Sequence, residues 1–139
     1  LLISGSVAWR AISLKRGINQ IDKLAESLKQ AQEKNLAEQM ADTYGGKTPQ
    51  ETLQMYISAV EKGDYELASR YFVSHKQSVG LNTLKNSSPE NIKTLISLLR
   101  VSLNSPGSFS ENKDGFAIRK PLLVDFTLYP NGVWKIIEI

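Results

Sequence analysis

Apolar positions follow helical spacing through the larger part of the chain and alternate from Ser108 onward. The clearest helical stretch is Thr48 to Phe72, TPQETLQMYISAVEKGDYELASRYF. Leu53, Tyr56, Ile57 and Val60 make one stripe; Leu67, Ala68, Tyr71 and Phe72 make another. Thr48 is an N-cap residue, Pro49 occupies the first helical position, and Glu51 three residues on completes a capping box. Lys62 lies in the last turn, and Gly63 suits a left-handed C-cap. Asp64 then caps the second helix, with Glu66 in its first turn. A one-residue joint predicts a tight corner between the two helices.

Upstream, a helix is predicted from Ser13 to about Asp42. Leu14, Ile18, Ile21, Leu24, Ala25, Leu28 and Ala31 hold a three-four spacing, after which only Leu36 and Met40 continue it. Asp22, Lys23, Glu26, Lys29, Glu33, Lys34 and Glu38 supply a mixed-charge face. Two heptads suit a stalk, a short coiled-coil pairing, or a first helix lying on the domain. Tyr44-Gly45-Gly46-Lys47 is the clearest break and sets the expected boundary: a helical stalk or first helix over 13–44, then a domain over 45–139.

Downstream, Val73 to Ser87 is polar and weakly patterned, with Val79 and Leu81 suiting either a short strand or a turn of helix. Ser88-Pro89-Glu90 repeats the cap-then-proline start. Ile92, Leu95, Ile96, Leu99 and Leu103 form a third stripe, ended by Asn104-Ser105-Pro106-Gly107. Strands are predicted at Ser108 to Glu111 and Phe116 to Lys120 around Asn112-Lys113-Asp114-Gly115, then at Leu122 to Tyr129 and Val133 to Ile139. Tyr129-Pro130-Asn131-Gly132 suits a three-residue loop that pairs Tyr129 with Val133, Leu128 with Trp134 and Phe126 with Ile136. A two-residue turn would instead set Asp125 against Glu138, a like-charge pair. Val124, Phe126, Leu128, Trp134 and Ile136 then form the core face. The opposite face is apolar enough to predict a cover, either the N-terminal helix or a second subunit.

The start, LLISGSVAW, carries no charge, and the chain has no initiator Met. Nine helical residues reach only about 14 Å, short of a bilayer core of roughly 30 Å. Trp9 followed by Arg10, Lys15 and Arg16 is the pattern of a membrane–water boundary. Residues 1–12 are therefore expected to be the end of a longer transmembrane anchor; a buried amphipathic helix start is the other reading. The +3 charge is dispersed, with no basic run or aromatic-interleaved patch, so no nucleic-acid partner is expected. There is no cysteine, hence no disulfide framework or thiolate nucleophile. One histidine and scattered carboxylates predict no metal site and no cofactor. Gly45-Gly46-Lys47-Thr48 lacks the upstream glycine and preceding strand of a phosphate loop. His75, in a polar loop, reads as a surface histidine rather than an acid–base catalyst. Asp125 reads as a solvated strand position. Tyr56, Tyr71 and Trp134 are candidate lining of a ligand pocket, with Tyr129 beside them; packing at a helix–sheet interface explains the same positions.

Helices, a tight corner and a closing hairpin predict an α+β fold: N-terminal helices packed on a curved antiparallel sheet, preceded by a long helix. On TPQETLQMYISAVEKGDYELASRYF and FTLYPNGVWKIIEI, the chain resembles the nuclear transport factor 2-like superfamily, also described as cystatin-like. The resemblance covers about residues 48–139. It implies a sheet wrapped around helices into a cone, often with a pocket and often dimeric. That superfamily contains dehydratases and isomerases, typically with a His–Asp or Asp–Tyr pair inside the cone, and many non-enzymatic modules. Its bacterial anchored forms include the assembly-scaffold domain of type IV secretion systems and the N-terminal domain of some penicillin-binding proteins. Together with the apolar start, this implies a non-catalytic, membrane-anchored, extracytoplasmic binding or assembly domain. A homodimer through the sheet or the stalk is the expected association. The alternative is a small-molecule pocket protein or a dehydratase/isomerase-like enzyme.

Overall fold

A computed structural model describes residues 4–139; Leu1, Leu2 and Ile3, the start of the expected anchor, lie outside the described residues. The α+β class is as expected. Five α-helices come first: α1 (Ser4–Ala41), α2 (Pro49–Glu61), α3 (Tyr65–Arg70), α4 (Gln77–Asn86) and α5 (Pro89–Leu103). A single 3-10 turn, Ser74–Lys76, precedes α4. The strands β1 (Gly107–Phe109), β2 (Gly115–Ile118), β3 (Val124–Leu128) and β4 (Trp134–Glu138) form one antiparallel meander in chain order.

The chain divides into two compact units, one ending at Glu38 and one spanning Gln39–Ile139. The division falls inside α1, upstream of the Gly45-Gly46 break. In the first unit, α1 runs on through Trp9 without interruption. Its stripe from Val7 through Ile18, Ile21, Leu24 and Leu28 to Leu36 is at least 50% exposed at each large apolar residue. Among the described residues, no helix is long and apolar enough to cross a membrane.

In the second unit, the caps form as the sequence requires. Thr48 Oγ1 accepts from Glu51 N at 3.1 Å, Asp64 Oδ1 from Leu67 N at 3.1 Å, and Ser88 Oγ from Asn91 N at 3.2 Å. The Glu51 carboxylate reaches back one residue further than a capping box requires, accepting from Lys47 N at 2.9 Å. At the corner, Gly63 is left-handed (φ 73°). Asp64 N donates to Ala59 O and Gly63 N to Val60 O, the paired bonds of a Schellman ending.

Leu53, Ile57 and Val60 of α2, Ile92 and Leu99 of α5, and Ile118, Val124, Phe126 and Ile136 of the sheet join one core. Helices and sheet therefore bury each other's apolar faces. The stretch Val73 to Ser87 is mostly helical, not a strand. Its pattern is thin because α4 buries a single residue, Leu84.

The β3–β4 loop is the expected three-residue type. Tyr129 N donates to Val133 O at 2.8 Å, Gly132 N to Tyr129 O at 2.9 Å, and Gly132 has φ 88°. Leu128 pairs with Trp134 and Phe126 with Ile136, as predicted. Beyond that the register shifts: Asp125 pairs with Glu138, leaving Ile137 as the extra residue of a bulge. The turn sets the register correctly, but it does not keep the like charges apart. Both groups reach solvent, which screens their repulsion.

Candidate functional site

The second unit offers two candidate places: a buried lysine behind the hairpin and a cleft at the end of β4. The lysine is Lys135, fully buried in mid-strand. Its ammonium sits 2.9 Å from Asp42 Oδ2. It also donates to Tyr44 O at 2.7 Å and to Arg70 O at 2.5 Å. All three donors are engaged, and the Tyr129 ring lies 5.8 Å away. Burial pushes the Lys135 pKa down, and the neighbouring Asp42 carboxylate opposes that shift.

This arrangement accounts for the cover over the second face of the hairpin. The cover is the chain's own segment after α1, together with the end of α3. Asn131 Nδ2 donates to Asp42 O at 2.6 Å, and Trp134 N donates to Gly46 O at 2.9 Å. Thr52, fully buried on α2, accepts from Gly46 N at 2.9 Å and donates to Trp134 O at 2.8 Å. A Cβ on Gly45 would stand 2.3 Å from Trp134 O. The double glycine thus marks a close approach of backbones rather than a loose linker. Tyr71 O and Ile136 N, with Ile136 O and Val73 N, pair the stretch after α3 with the outer edge of β4. Lys135 and Asp42 form a clamp between β4 and the segment after α1.

The cleft has a volume of about 260 Å³ and lies among α2, α4, α5 and the end of β4. Its walls include Phe72, Leu84, Leu95 and Ile137, with Lys76 and Glu138 among the charged lining groups. Tyr56 reaches it from α2, with its ring edge-on to Phe72 at 5.6 Å. The side chain is 3% exposed. Burial raises the pKa of its phenol, which stays protonated as a donor. Gly80 lets α4 pass close to Phe72, since a Cβ there would meet the ring at 3.2 Å.

The three aromatic candidates do not converge. Tyr56 lines the cleft. Tyr71 and Trp134 are buried elsewhere in the core: Tyr71 at the end of α3, and Trp134 edge-on to Phe109 at 6.0 Å. Burial also raises the Tyr71 pKa, assisted by nearby Tyr44 and Asp64. His75 is exposed in the 3-10 turn, and Asp125 is half-buried beside Glu138. Among the described residues, no three His, Cys, Asp or Glu side chains cluster as metal ligands would. Sequence reasoning missed Lys135, Thr52 and Asp42. The available signal was a lysine inside the apolar run Val133-Trp134-Lys135-Ile136-Ile137, which calls for a buried acceptor set. Comparison with family models, with curated proteins and with solved structures returns no match.

Proposed function

We propose that the protein is a non-catalytic binding or assembly domain, held at a membrane by its N-terminus and displayed on the extracytoplasmic side. One observation carries this reading. From Ser4 onward, the chain through Trp9 and the amphipathic stripe belong to a single 38-residue helix, and the stripe's large side chains, Trp9 among them, face solvent. Such a surface calls for a cover. Trp9 with Arg10, Lys15 and Arg16 suits a lipid headgroup zone at the N-terminal end, and the rest of the stripe would pair with a second copy. The resemblance to anchored members of the nuclear transport factor 2-like superfamily supports the same reading. Fractionation of the full-length protein tests the tether: recovery with membranes, resistant to high salt, is expected. Intact protein wholly in the soluble fraction would defeat it.

A further inference from the structure

We propose that the cleft among α2, α4, α5 and the end of β4 binds a small monocarboxylate with an apolar tail, its head held by Tyr56 and Lys76. The anchor is the Tyr56 hydroxyl. It has no hydrogen-bond partner among the described residues, and no fully buried side-chain nitrogen or oxygen there is left unpaired. The hydroxyl therefore keeps a little accessible surface, and Tyr56 lines the cleft. Phenylalanine would pack the same ring against Phe72 without stranding a donor, so packing alone does not call for a tyrosine.

The other cleft groups narrow the ligand. Lys76 is half-buried and makes no ion pair among the described residues. Two donors without acceptors suit a head that only accepts, which a carboxylate does. Phe72, Leu84, Leu95 and Ile137 offer an apolar bed for the tail. Glu138 lines the same cleft but is exposed. Solvent screens its repulsion of a single negative charge, and a doubly charged head would meet twice that repulsion. The 260 Å³ volume falls just below the range of roughly 300–1,000 Å³ that holds drug-sized ligands, so the tail is short.

Titrating the isotope-labelled whole chain with sodium octanoate, followed by amide NMR, tests this. Saturable shifts are expected at Gly80, Leu84 and Ile137. Tyr56→Phe, which keeps the ring, should weaken binding by about tenfold or more. Lys76→Gln should weaken octanoate but leave octanol unchanged, and Thr83→Trp, on the exposed lip, should abolish binding of both. Near-UV circular dichroism checks that each variant is folded. Absence of saturable shifts, shifts confined to the α1 stripe, or equal affinity in Tyr56→Phe would overturn the site. Equal octanoate affinity in Lys76→Gln would overturn the carboxylate assignment. The cleft lies wholly within Gln39–Ile139, so these outcomes are independent of the tether.

Discussion

Asp42→Ala should be among the most damaging single substitutions in the Gln39–Ile139 unit, although Asp42 lies just beyond the end of α1 in a segment that reads as a linker. The substitution leaves the Lys135 ammonium fully buried with two carbonyls and no counter-charge. At 2.9 Å and an effective dielectric of about 20, the lost attraction is roughly 6 kcal/mol. Partial rehydration reduces this, and breaking a buried pair from one side typically costs about 3–5 kcal/mol. That is a large share of the roughly 5–15 kcal/mol that holds a domain folded. Lys135→Met retains most of the stem's apolar volume and frees Asp42, already 12% exposed, to turn toward water. Its cost should be smaller, about 2 kcal/mol, from carbonyls left without a donor. Adding Lys135→Met to Asp42→Ala should therefore restore stability. Urea unfolding, read by near-UV circular dichroism of the buried Trp134, measures all three variants. A loss below about 1 kcal/mol in Asp42→Ala, or a further loss in the double variant, would refute the clamp.

Gly45→Ala should cost more than about 2 kcal/mol in the same assay, because its Cβ would collide with the Trp134 carbonyl. Gly63→Ala meets open space and should cost only about 1 kcal/mol, the price of a left-handed alanine. Stability should rise with pH toward about 10, because Lys135 binds its proton less tightly folded than unfolded and burial's penalty on the charge is relieved. Above about pH 10 stability should fall, since unfolded tyrosines ionise while buried Tyr56 holds its proton. Urea midpoints across pH 8–11 should lose the rise in Lys135→Met and flatten the fall in Tyr56→Phe.

Where a feature is local, the residues declare it. The corner at Gly63-Asp64 needs one left-handed position and one cap, and both are adjacent in the chain. The β3–β4 register follows from Pro130-Asn131-Gly132, because the loop length fixes which residues pair next to it. What stayed hidden depends on distant partners. The bulge at Ile137 has no turn signal beside it. Lys135 is intelligible only with Asp42, Tyr44 and Arg70 in place, and Thr52 only with Gly46 and Trp134. The helix α4 was obscured because it covers Phe72 with a glycine and buries only Leu84, leaving little periodicity to read. Tyr56 was legible as an aromatic on a buried stripe; that it opens on a cleft while Tyr71 and Trp134 do not required the packing of α4 and α5.

Quenching by vesicles with brominated acyl chains decides whether the start of α1 seats at a lipid surface. Trp9 and Trp134 are the two tryptophans, the first exposed and the second buried. In vesicles containing anionic lipid, which attract Arg10, Lys15 and Arg16, strong quenching that disappears in Trp9→Phe is expected. Emission unchanged by the brominated lipid, with the chain left free of the vesicles on flotation, would contradict it.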